Sequence, residues 1–321
     1  MRARWVIEGT AMWAMDEFGS DDNHEWKFME DYGFLKTFQP LDQLMHWSGL
    51  YFNFVEAEFG GRDAVRQLFD VMENDPNRTQ LGVAFQDDPA NWHRFVNSST
   101  GYSALTSGAA GAVLVDAGGG PLPFEPATGC VDDGMAQIGQ EYLADLQEIT
   151  SSRAPVFDFA LPGPAAQHHT LEVVDVAKIQ YLDVGLFGEI SNLASDGDPE
   201  IRITALLETS GGDEIVQDWT AAWNNPTGPK MEIKEFEGQD LEADASIRIC
   251  MTSDAPCQGV AETFPDLERI RLVVSWAGIR SSADDKLSGQ LAIVPGAIDG
   301  WTGSHYRRGT PEETHDQENS Q

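Results

Sequence analysis

Positive charge is what this chain most lacks. Its 321 residues hold 20 Lys or Arg, only six of them Lys, against 53 Asp or Glu, a formal net charge of -33. A surface of that sign repels phosphate and releases no counterions, which excludes nucleic acid as a partner and anionic membrane surfaces with it. Long apolar runs are missing as well. The nearest, Ala109–Val115, is flanked by glycine, stopped by Asp116 and far short of the ~20 residues a spanning helix needs, so no membrane insertion is expected. Cysteine is sparse, at three, with no CxxC pair, which excludes a zinc ribbon. No internal repeat is visible.

The residues that are present describe a folded protein. Hydrophobic residues make up 41% and aromatics 10%, with nine Trp, too many for a disordered acidic polymer. The length suits two domains of ~100–200 residues. Acidic groups spread along the whole chain suit solvation at high ionic strength, where screening over ~3–10 Å quenches self-repulsion; ordinary solubility of a secreted protein is the alternative. Cys250 and Cys257 enclose a short polar loop, Met251-Thr-Ser-Asp-Ala-Pro256, between strand ends. A bridge there fits an extracytoplasmic protein and contributes roughly 2–3 kcal/mol; two free thiols are the alternative. Cys130 has no obvious partner. The basic start, Met1-Arg-Ala-Arg4, does not lead into a signal-peptide core, because Glu8, Asp16 and Glu17 interrupt the stretch Trp5–Phe18. Either the protein is cytoplasmic, or its true beginning lies upstream.

Periodicity divides the chain in two. From Trp5 to about Ile149 the apolar spacing is helical. Trp5, Met12 and Met15 form one stripe with Ile7, Ala11, Ala14 and Phe18 beside it, and a second helix is expected near Glu25–Leu35. Leu41, Leu44, Met45, Ser48, Tyr51, Phe52 and Val55 mark a third, ended by Gly60-Gly61, and Val65, Leu68, Phe69 and Met72 a fourth. Residues 98–130 read as loop, and Met135–Ile149 as one more helix. From Ala154 the period is two. Strands are expected at Val156–Leu161, Thr170–Val176, Ile179–Phe187, Ile201–Glu208, Ile215–Trp219, Met231–Phe236, Ser246–Cys250, Arg269–Trp276 and Gln290–Val294. The expectation is an α+β protein: a helical subdomain over 1–150, an antiparallel β-sandwich over 151–300 and a disordered acidic tail over 301–321.

Glu8 is the one charge on the first apolar stripe. A buried carboxylate must protonate, meet a cation or bind a metal. Its surroundings, Trp5-Val-Ile-Glu8-Gly-Thr-Ala11-Met-Trp13, resemble the third-ligand helix of the gluzincin zinc metallopeptidases, where a WxxEGxA-like stretch comes after a helix carrying HExxH. The likeness extends over residues 5–73, through the acidic loop Asp16–Asp22, the Pro40-Leu41 approach and the helix ending Glu56-Ala-Glu-Phe-Gly60.

The resemblance implies a secreted bacterial peptidase acting on peptide or protein substrates, located outside the cell or on its surface. Glu8 is then the third zinc ligand. His46, in His46-Trp-Ser-Gly49, stands near the position where relatives carry a Tyr that stabilises the oxyanion, with Tyr51 as the alternative. None of the seven histidines begins HExxH, and His24-Glu-Trp-Lys-Phe28 fails at its last position. Two histidines at i and i+4 and the base between them are what that helix supplies. Zinc is therefore expected in the complete enzyme and not in this chain alone, making the chain a fragment or a wrongly started frame. The rival expectation is a non-catalytic extracellular protein whose β-sandwich binds a polymer or a partner protein. A GxSxG elbow, a phosphate loop and an EF-hand are all absent, and the adjacent His168 and His169 point to opposite faces of a strand. The oligomeric state is not legible.

Overall fold

The computed structural model describes residues 4–18, 40–75, 79–99, 146–150, 155–161, 163–187, 201–220, 230–236, 239–254, 257–278 and 287–297. The helix expected at Glu25–Leu35, the loop beyond Ser99, Cys130 and the tail at 301–321 lie outside them. Among the described residues, helices precede strands in an α+β chain: α1 Arg4–Phe18, α2 Gly49–Phe59, α3 Arg62–Asn74, α4 Gln80–Ala84 and α5 Pro89–Ser99.

The helix expected from Leu41 through Val55 is broken. Residues Leu41–Gln43 and Met45–Ser48 form two 3-10 turns, and α2 starts only at Gly49. Met45 has φ 55, a left-handed value that ends any continuous helix, and the Leu41 N–H donates to Pro164 O at 3.0 Å, pinning the turn to the β part. Gly60 at φ 112 and Gly61 at φ 82 then separate α2 from α3, a pair of left-handed residues that only glycine adopts without strain. Helices α4 and α5 were not expected. Both are capped: the Thr79 hydroxyl accepts from the Gly82 N–H at 3.0 Å, and Asp88 Oδ1 accepts from the Ala90 N–H at 3.0 Å with Pro89 opening the helix. Ser98 and Ser99, expected as loop, close α5.

These helices share an aromatic core. Tyr51, Phe52, Phe54, Trp92 and Phe95 are all essentially inaccessible. The Tyr51 ring meets Phe95 edge-on at 5.1 Å, an arrangement worth about 0.5–1.5 kcal/mol beyond the area it buries.

Among the described residues, the β part is built from two five-stranded sheets. One has the order β1 (Leu146–Ile149), β3 (Ala165–Val173), β9 (Leu267–Trp276), β5 (Ile201–Thr209), β6 (Glu214–Asp218). The other runs β2 (Val156–Leu161), β10 (Leu287–Ala297), β4 (Ile179–Phe187), β8 (Gln239–Cys250), β7 (Lys230–Phe236). All pairings are antiparallel except β1 with β3. Strand β1 corrects the sequence reading, which extends a helix to Ile149. Its register, Leu146 against Thr170 and Ile149 against Val173, places it in the sheet ahead of residue 151, with Ile149 fully buried. Val176, expected at the end of a strand, opens a 3-10 turn after Asp175 at φ 61.

Alternation along β9 explains the layering. Ile270, Leu272, Val274 and Trp276 enter the core between the sheets, facing residues such as Phe157, Leu182, Leu291 and Ile293 of the second sheet. Val273 and Ala277 point the other way, into the core of the helices, together with Ala166 of β3 and Leu206 of β5. The described residues therefore form three layers, helices over sheet over sheet. A strand buried on both faces needs apolar residues at consecutive positions, and Leu272-Val-Val274 supplies them.

Outside that covered zone the same face turns polar. Glu208 of β5 meets both Arg269 (2.9 Å) and Arg271 (2.5 Å) of β9. On the second sheet Asp183 holds Arg248 through two bonds of 2.7 Å, with the guanidinium 4.0 Å above the Tyr181 ring. Cys250 and Cys257 are joined by a disulfide with Cα atoms 5.9 Å apart, and both are buried.

Candidate functional site

The Glu8 segment sits on α1, and the helix turns differently from the stripe read in the sequence. Its buried residues are Trp5, Val6, Gly9, Met12 and Trp13. Ile7 is 54% exposed and Met15 48%, with Ala11 also exposed between them. Met15 thus leaves the buried face, and Glu8 lies on its flank with 26% of the side chain exposed. Of the three fates open to a carboxylate, Glu8 shows the meeting with a cation: Arg4 Nε is 3.4 Å from its Oε1, one turn earlier. Arg4 is 73% exposed, so the pair is a surface interaction of about 0–1 kcal/mol.

The rest of the motif is occupied in packing against α2. A Cβ on Gly9 would stand 2.1 Å from Ser48 Oγ and 2.9 Å from the Phe52 ring. A Cβ on Gly49 would stand 2.8 Å from Met12 Cβ. Small residues on both sides therefore let the two segments touch. The Ser48 hydroxyl lies 2.8 Å from Trp5 O and 2.5 Å from Met45 O, and its one proton serves one of these carbonyls at a time. Trp5 stacks on Phe52 at 5.9 Å, and Trp13 Nε1 donates to Glu56 Oε2 at 2.6 Å.

His46 lies in the 3-10 turn Met45–Ser48, which packs on α1; its side chain is outside the described residues. Tyr51, the alternative oxyanion donor, is a core residue. Its hydroxyl donates to Ala84 O at 2.9 Å, and burial pushes its proton affinity far above the ordinary phenol. It has no access to a substrate.

Zinc needs three protein ligands and an open position. Among the described residues no three His, Cys, Asp or Glu side chains come together in this way, and Glu8 stands beside a cation. The described residues do not fit the metal by themselves.

Other chemistry-bearing groups are buried. His93 of α5, 1% exposed, has Nδ1 2.6 Å from Ser275 Oγ of β9, also 1% exposed. A Ser–His contact invites a nucleophile reading, but with both side chains sealed between the helices and the sheet it is a tether of α5 to β9. His168 and His169 occupy opposite faces of β3, as their adjacency implies. His169 points between the sheets with its ring 4.5 Å from Phe157; the residue as a whole is half-buried, yet its Nε2 is enclosed without a hydrogen-bond partner. Burial lowers the pKa of His168 to about 4, and burial with the charge of His168 lowers that of His169 to about 3. The sequence reading does not single out His93 or Ser275. The polar Ser275 within Leu272-Val-Val-Ser-Trp276 is the available signal.

No family model matches the chain, and no curated protein matches it. Among the described residues no helix is long and apolar enough to cross a membrane.

Proposed function

We propose that residues 5–73 are the third-ligand part of a gluzincin-type zinc peptidase, acting outside the cell on peptide or protein substrates. Glu8 is the carboxylate offered to zinc, and the two histidines and the base come from an HExxH segment that the 321 residues do not contain. One observation supports this above others. Glu8 is flanked by Ile7, Ala11 and Met15, an i, i+4, i+8 apolar row left in solvent on a helix whose opposite face is fully packed. Exposed apolar residues in such a row suit coverage by a further helix, and a helix covering this row comes to lie beside Glu8. His46, in the turn just ahead of Ser48, remains the proposed oxyanion stabiliser.

Metal analysis tests the proposal. The chain alone should hold no stoichiometric zinc. Joined to an in-frame upstream HExxH segment, it should hold one zinc, and Glu8→Gln should remove it while the fold, followed by circular dichroism, stays intact. Zinc retained by Glu8→Gln, or no HExxH encoded upstream, refutes it. The second reading, a non-catalytic extracellular binding protein, is favoured by the Arg4–Glu8 pair, which uses the carboxylate without a metal.

A further inference from the structure

We draw no further inference here: the strongest candidate, the open apolar groove between α2, α3 and α4 floored by Phe59, Leu68, Val71 and Val83, carries nothing because nothing in the structure shows what covers it.

Discussion

Lowering the pH should destabilise this protein through His168 and His169, against the trend of its carboxylates. An ordinary histidine titrates near 6.5, whereas burial holds His168 neutral to about 4 and His169 to about 3. Above pH 6.5 both rings are neutral in the folded and the unfolded chain, and their contribution is fully present. Below it the unfolded chain takes up protons that the folded chain cannot, and stability is lost down to the folded values. Between about pH 7.5 and about pH 5, each ring costs about 2 kcal/mol and the pair about 4 kcal/mol, taking 1.36 kcal/mol per tenfold change in proton activity. Protonating carboxylates in a chain of charge -33 relieves repulsion and works the other way, so absolute stabilities mix the two effects. The informative quantity is a difference. Urea midpoints of the wild type and of His168→Gln combined with His169→Leu should be measured at both pH values and one fixed high salt concentration. The wild type should lose about 4 kcal/mol more than the variant across that interval. Equal losses would show that these rings do not hold their neutral form by burial.

Single contacts give the remaining outcomes. Gly9→Ala should destabilise by about 1–3 kcal/mol in urea unfolding, since its Cβ would meet Ser48 Oγ at 2.1 Å, and adding Ser48→Gly should recover part of the loss. Opening the Cys250–Cys257 bridge, seven residues in span, by a Cys250→Ala, Cys257→Ala pair should cost about 2.4 kcal/mol; an unchanged midpoint refutes a loop-entropy contribution. Glu208→Gln should cost about 1–3 kcal/mol, less than for a fully buried triad because Arg269 and Arg271 keep 26% and 21% exposure, and its cost should fall as salt rises. The melting temperature should climb from dilute buffer to molar KCl; a flat or falling profile refutes self-repulsion as a main destabilising force.

Much of the β part is legible in the sequence because its signals are local. Ile201–Glu208 and Arg269–Trp276 mark strands that appear within one or two residues, since the side chains facing the second sheet recur at every second position even where the opposite face is also buried. Gly60-Gly61 likewise announces the end of α2, because two left-handed residues need glycine. Helix α5 is legible in principle, in Asp88-Pro89 with Trp92, Phe95 and Val96 after it, although the periodicity reading does not include it. Other features are fixed only by tertiary contact. Leu146–Ile149 continues a helical pattern, yet pairing with β3 makes it a strand. The break at Met45 comes from the Leu41–Pro164 bond and the packing of Ser48 on Gly9, neither of which any window of sequence contains.

Glu8 shows the division most clearly. Helical spacing alone puts it on a buried stripe with Met15, because Trp5, Met12 and Met15 fit one face as well as Trp5, Gly9 and Trp13 fit another. The choice between those faces is made by α2. Backbones approach closely only where side chains are small, so Gly9 and Gly49 turn α1 inward on that side. Glu8 is left on the flank, with Ile7, Ala11 and Met15 in solvent.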